Sequence, residues 1–564
     1  AKLALRADIS GIHAPLSATL AGNWLSAQFD LDFATPTPTL TLRLAASDLA
    51  LDALARDVPV LQGLEGSLKG IDLHLDGRGD TADAVLRDLE MRLAMTGAQV
   101  SYHHTNAASP LAFTVDALQL EARRGEQLHG SAQASLLGKE TQLSLRAGTL
   151  PGMLRERAMP LELELAQARA SLRVEGVFSP AEATRDTVWG FALQARNAGD
   201  LARWLPVAPQ SGLPLALRGQ VRVSPNLWFL EQTALELGRS RLRIDARRTR
   251  NSERPLTTAR VRSTLIDVPQ LSTLLVRAGV PARAGARLDA PILADAIDLA
   301  DADLDLDLQR VLLGRTELVD VVMAARTREG RLLPSRAKGK LAGAPFSALV
   351  EVDASDTIPS AKLDLSSRDI DVGALLRTLG VAEDIDARAE NLQLALHARG
   401  NSLRELAANT AFELRLAGGS LSLPGAAQRP AAEILMHEAI VDAAAGQPVR
   451  MRLNGALEQT PVSLQLSTAS FADFAGDKTR VPLAMEVLAA GTRLSLDGEV
   501  VLPLGSAGQL TFAVSGERLD TLNDLARVEL PAWGPWSLRG PIRITPVGYE
   551  VQELTLDVGQ SRLS

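Results

Sequence analysis

The chain has 564 residues, 46% of them apolar and 22% charged, with a net charge of −8. These are globular proportions, which exclude a disordered or low-complexity chain, and the interspersed charges lack the basic stripe that nucleic acid requires of a partner. There is no cysteine, so disulfides, cysteine-ligated metal and thiol catalysis are excluded, while cytosol and periplasm both stay open.

Taken from the N-terminus, the recurring element is a strand of period two. The segments 40–44 (LTLRL), 71–76 (IDLHLD), 161–166 (LELELA), 171–176 (SLRVEG) and 303–309 (DLDLDLQ) alternate apolar with charged or polar residues, which predicts one buried and one solvated face. Gly, Pro and Ser clusters separate them as turns require. Short helices are predicted where a strand runs into Asp and a Leu-rich turn: 47–58, 199–205, 266–275, 368–380 and 519–528. Asp suits these places because its carboxylate caps the first free amides of a helix. Only 3% of residues are aromatic, so any core is assembled from Leu, Val and Ala.

The chain is also a duplication. LRGQVRVSPNLWFLEQTALELGRSRL (217–242) lies over LRGPIRITPVGYEVQELTLDVGQSRL (538–563) without a gap, and 10 of the 26 positions are identical. The same shift of 321 carries 41–54 onto 362–375 and 20–27 onto 341–348, with a one-residue slip near Pro160 and Pro482. Residues 1–321 therefore form one unit and 322–564 most of a second, each full unit holding about eighteen strands. The second copy ends at Ser564, where the first continues through Arg243, Ile244 and Asp245. No apolar run reaches the roughly 18 residues of a membrane-spanning helix, and the chain opens at Ala1 without a signal-like segment. An internal fragment of a longer protein is expected.

Amphipathic strands in tandem have two physical solutions. Two sheets pack face to face over closed cores, or one long sheet curls so that its apolar face lines an open groove. Residues 66–100 (GSLKGIDLHLDGRGDTADAVLRDLEMRLAMTGAQV) combine a strand, a Gly turn, a small polar residue, a short helix and a second strand. That module, with the paired G-x-S-x-L strand openings GRSRL and GQSRL, resembles AsmA-like proteins of Gram-negative envelopes over nearly the whole chain. The resemblance implies a mainly β fold, a long curled antiparallel sheet with an open groove, built from tandem repeats with short covering helices. It further implies a bridge-like lipid-transfer role in the periplasm, with an inner-membrane anchor through an N-terminal helix absent here. Phospholipids would be the partners, with outer-membrane or cell-envelope proteins as further ones, and outer-membrane lipid homeostasis the process served. A groove of some thirty strands at about 4.8 Å spacing would be on the order of 140 Å long.

The groove-lining candidates are Leu42, Leu44, Leu73, Leu75, Leu93, Leu163 and Leu165, and in the second copy Leu363, Leu365, Leu394, Leu396 and Leu414. The competing reading is that the same leucines fill a protein core. No catalytic constellation, cofactor motif or metal site is expected. His103-His104 lacks a third ligand. The acidic run 298–308 (DLADADLDLDL) lacks the Gly and Glu of a calcium loop and is predicted to be a strand with a solvated acidic edge. Arg78-Gly79-Asp80 is an adhesion tripeptide in form, but its counterpart is Arg399-Gly400-Asn401, so it is predicted to be a turn before a helix. The alternative to a lipid conduit is a non-enzymatic scaffold for assembling outer-membrane proteins, with closed β cores.

Overall fold

Strict alternation leaves every strand with one face to bury, and the computed structural model consists almost wholly of such strands. It describes residues 2–3, 6–8, 11–20, 23–50, 64–102, 111–136, 139–152, 159–178, 187–201, 212–224, 226–249, 254–272, 301–379, 385–423, 432–471, 473, 480–501, 507–523, 529–545 and 548–563. By contacts the chain divides into two units, the first holding residues 1–206, 211–238 and 247–251 and the second the remainder. This division falls near Gly238, whereas the repeat boundary read from the residues is at 321. The first follows strand pairing and the second follows duplication.

In the first unit each strand from Gly11–Leu20 to Leu227–Leu237 pairs antiparallel with the next in sequence. In the second unit the same meander runs from Asp301–Leu313 to Trp536–Thr545. No pairing among the described residues closes either sheet into a barrel. The fold is mainly β, an open antiparallel sheet with a few short helices, as expected from the alternation for the strands and from the resemblance for the open sheet.

One pairing departs from the meander. Leu256–Asp267 and Asp301–Leu313 run parallel, and the latter strand pairs on its other side with Thr316–Arg328. The acidic run is therefore an interior strand, which corrects its reading as a solvated edge. Its aspartates meet arginines of neighbouring strands: Arg328 donates to Asp303 at 2.7 Å, and Arg254 lies 3.6 Å from Asp301. Alternation reports that a strand has two faces and carries no information on its place in the sheet.

The 321 shift carries element onto element. Thr39–Ala50 becomes Ser360–Asp371, the helix Ala82–Arg87 becomes Leu403–Ala408, Glu90–Tyr102 becomes Ala411–Leu423, and Leu111–Ala122 becomes Ala432–Ala443. At the slip, Ala170–Phe178 corresponds to Thr492–Val501, and the 3-10 turns 198–201 and 519–522 restore the shift. Irregularities repeat as well. Asp48 and Asp369 have φ of 54° and 52°, and each is the residue skipped by the ladder to the following strand. The facing Lys69 and Glu390 are skipped as well, so the register is the same on either side and no residue is added. The strand's phase changes all the same, and Leu49 clusters with Ala46 and Ile370 packs with Leu365 despite the broken alternation.

Two of the expected helices begin at an Asp cap, while those expected at 199–205 and 519–528 are, among the described residues, the 3-10 turns Ala198–Leu201 and Leu519–Leu522, the latter preceded by Arg518 with no side-chain cap. Asp371 accepts from the amide of Ala374 at 2.7 Å ahead of Val372–Leu379, and Asp267 from that of Gln270 at 3.2 Å ahead of Val268–Ser272. The helix expected in 47–58 lies, beyond Ala50, outside the described residues, as does His103-His104. Val372 and Leu375 pack against the cluster that holds Ile370, Leu392 and Leu416, so this helix helps to dry that part of the apolar face. The Arg-Gly-Asp segment is a turn. A Cβ on Gly79 would meet the amide nitrogen of Val85 at 2.4 Å, and one on Gly400 that of Leu406 at 2.6 Å. The glycines let the following helix fold back onto its own strand. The caps are Thr81 and Ser402, which accept from the amides of Ala84 and Glu405.

Candidate functional site: the apolar faces

Strand register decides whether apolar positions meet, and in both units they do. In the first, Ala27 stands opposite Leu44, Leu44 opposite Leu73 and Leu73 opposite Leu93. The line continues through Leu120, Gly130, Leu145, Leu163, Val174 and Phe191 to Gly219. A second line, one same-face step along the strands, holds Ala46, Ile71, Met95, Leu118, Ala132, Leu143, Leu165 and Leu172.

In the second unit the counterpart of the first line runs through Ala348, Leu365, Leu394, Leu414, Val441, Met451, Leu466, Met485, Leu496 and Phe512 to Gly540. It also extends the other way through Ala337 and Met323 to Leu306. No polar side chain interrupts it, and at about 4.8 Å per strand it runs for about 60 Å.

All twelve predicted positions fall on these faces. Leu42 pairs with Leu75 and Leu363 with Leu396 in a third line beside the first. Each of the twelve is half-buried, while the neighbours Arg43, Asp72, Lys362, Asp364, Gln393 and Arg415 are exposed on the other face. Leucines between two packed sheets lose nearly all contact with water; among the described residues these keep part of theirs. Dry clusters occur as well, as where Leu392 and Leu416 lie at 5% and 6% exposure in the cluster against which Val372 and Leu375 pack. Sequence reasoning missed Leu120, Leu145, Val174 and Phe191, and Met451, Leu466, Met485 and Leu496 in the second unit. The signal was there in the same alternation, applied strand by strand with the phase reset at each bulge.

The opposite face is a lattice of exposed ion pairs. Arg173 lies 2.9 Å from Glu162 and 3.5 Å from Glu175, and Arg310 lies 2.5 Å from Glu317. Hydrogen bonding to Arg562 holds the Asp557 carboxyl below its ordinary range, and the same pair raises Arg562. Among the described residues no three His, Cys, Asp or Glu side chains gather in a way that could hold a metal ion, and no helix is long and apolar enough to cross a membrane.

What the apolar faces can do chemically follows from their composition. They offer contact area without direction, since aliphatic side chains attract apolar surface roughly in proportion to the area covered. Methionines at 323, 451 and 485 add soft, adaptable contact. No family model matches the chain, and neither the curated proteins nor the solved structures include a match.

Proposed function

We propose that the chain is part of a lipid-transfer conduit that holds phospholipid acyl chains on its apolar faces. The observation that carries this reading is the unbroken apolar line of the second unit, which crosses fourteen strands from Leu306 to Gly540 and is half-buried at every position except the buried Ala337, Ala348 and Gly540. A face that stays apolar over about 60 Å while only half-buried among the described residues suits a non-protein cover. Acyl chains have the matching chemistry, and the lack of directional contacts lets them slide. The resemblance of residues 66–100 to AsmA-like envelope proteins supports the same reading. On that basis the setting is the periplasm, with an inner-membrane anchor elsewhere in the full-length protein and outer-membrane lipid supply as the process served.

The test is lipid mass spectrometry on protein purified without detergent, combined with photo-crosslinkers at Leu75 and Leu396 and, as outward-facing controls, at Asp72 and Lys362. Phospholipid should co-purify and crosslink from the two leucine positions alone. Recovery of no lipid, or equal capture on both faces, would remove the reading.

A second reading, a scaffold for outer-membrane proteins, is favoured by one feature of the charged face. In the first copy Val177 and Val188 are 51% and 46% exposed there, and the Arg222 guanidinium lies 4.3 Å from the centre of the Phe229 ring. The matching second-copy positions are Glu499, Gln509, Arg543 and Glu550, aligned across four strands. An exposed apolar patch confined to one copy suits a protein contact. Crosslinkers at Val188 that captured an outer-membrane protein, with none at Gln509, would support it.

A further inference from the structure

We infer that the second copy carries a polar notch at the rim of its apolar face that receives the ester carbonyl oxygen of an acyl lipid; this rests on the lipid reading above. Thr492, Gly516 and Trp536 stand opposite one another on three adjacent strands. Each lies two residues beyond a half-buried position of the apolar face on its own strand, namely Leu494, Val514 and Leu538. Thr492 is 7% exposed and Trp536 6%. Their polar atoms, Oγ1 and Nε1, are buried without a hydrogen-bond partner among the described residues. A methyl group on Gly516 would lie 2.9 Å from Nε1 and 3.4 Å from Oγ1. Both atoms therefore flank the bare α-carbon of that glycine.

The duplication provides the control. In register, the first-copy counterparts are Ala170, Ala195 and Leu215, all buried. An apolar rim is thus compatible with this fold and leaves nothing unsatisfied. The second copy has instead exchanged one methyl for hydrogen and brought in a hydroxyl and an indole N–H, although buried polar groups are as a rule hydrogen-bonded.

The chemistry of the two groups narrows the occupant. An indole N–H only donates, while a threonine hydroxyl donates or accepts, so the occupant brings an acceptor. The nearby cations are engaged: Arg493 lies 3.3 Å from Glu486, and Arg518 donates to Asp520 at 2.9 Å. That favours a neutral acceptor over a phosphate or carboxylate. An ester carbonyl at the head of an acyl chain meets this requirement and lays its chain along Leu494 and Leu496. Approach is from the apolar face, whose residues below the notch are half-exposed.

The test compares phosphatidylethanolamine with ester-linked chains against its ether-linked analogue of equal chain length, since an ether lacks the carbonyl. Each is loaded onto the whole chain and the retained lipid is read by native mass spectrometry. The wild type should prefer the ester form about fivefold, the worth of one hydrogen bond. Replacing all three residues by those of the first copy (Thr492→Ala, Gly516→Ala, Trp536→Leu) should abolish the preference without abolishing binding. Trp536→Phe, which removes the donor and keeps most of the ring, should do the same if the triple variant fails to fold. Equal retention of both lipids by the wild type, or a preference that survives in Trp536→Phe, overturns the notch and leaves the lipid reading standing. Retention of neither lipid overturns both.

Discussion

The first copy and the second are the same backbone written twice, and what they share differs in kind from what they do not. They share positions where geometry leaves no choice: positive φ at Asp48 and Asp369 and at Gly97 and Gly418, a glycine under each helix at Gly79 and Gly400, a hydroxyl cap at Thr81 and Ser402. Along the apolar lines they share apolarity but not identity. Gly130 stands where Met451 does, Leu163 where Met485 does, and Val174 where Leu496 does. A tightly packed core resists such changes of volume, because overfilling or emptying it costs stability. A face open on one side absorbs them. The comparison thus points to two bands on each strand, a dry one near the helices where volume matters and a half-exposed one where it does not.

The largest expected effect tests that division within one strand. Leu416 is 6% exposed and packed in the cluster beside the Val372–Leu379 helix, whereas Leu414 is half-buried two residues away on the same face. Leu416→Ala should destabilise by about 2–5 kcal/mol, while Leu414→Ala should cost only about 1 kcal/mol and show itself mainly as faster loss of bound lipid. Urea titrations followed by circular dichroism measure the first, and lipid retention after gel filtration the second. Equal destabilisation by the two substitutions would mean that the face around Leu414 is covered by protein, and the open-face account would fall.

How much of this was legible beforehand depended on the kind of signal. Period two located the strands and assigned Leu42, Leu44, Leu363 and Leu365 to one face, because alternation and pleat are the same fact. The repeat located the turns and identified Arg78-Gly79-Asp80 as one of them. Two things were out of reach. Register is set between strands, so the lines through Gly130 and Met451 follow from pairings that no single segment encodes. The interior place of the acidic strand depended on a parallel pairing with Leu256–Asp267, a partner remote in sequence. The notch of Thr492, Gly516 and Trp536 joins three segments in the same way, and only register brings its residues together.

A middle-sized effect sharpens the comparison of shared devices. Gly97 and Gly418 have φ of 62° and 68°, and a Cβ on either would crowd the side chain of Lys69 or Glu390. The left-handed conformation costs an L-residue about 1–2 kcal/mol, so Gly97→Ala and Gly418→Ala should each destabilise by about that amount and by similar amounts. Next in size are the caps, where Thr81→Ala and Ser402→Ala should each cost about 1 kcal/mol. Asp80→Asn, by contrast, converts the tripeptide to the second-copy form and should change neither the melting temperature nor the circular dichroism. An effect of Asp80→Asn as large as that of Thr81→Ala would move the cap back to position 80.

The smallest effect lies in a turn where the second copy carries a hydroxyl that the first lacks. Asp32 accepts the amide of Ala34 at 2.7 Å, and its counterpart Asp353 accepts both the amide and the hydroxyl of Ser355, at 3.0 and 2.6 Å. The Ser355 hydroxyl, aided by the nearby Arg331, holds the Asp353 carboxyl below its ordinary range. A carboxyl with a lowered folded value contributes stability that is full above the ordinary value of about 3.9 and is lost as the pH falls through the lowered one. Ser355→Ala gives the second copy the alanine that the first has at position 34 and raises the carboxyl back toward its ordinary value. The variant should therefore be less stable than the wild type at pH 7, by no more than a few tenths of a kcal/mol at so exposed a site. The two urea midpoints should converge as the pH is lowered to about 2, where the carboxyl is protonated in both folded and unfolded chains. A difference that persists at pH 2 would mean that the hydroxyl stabilises the turn through some contact other than the carboxylate.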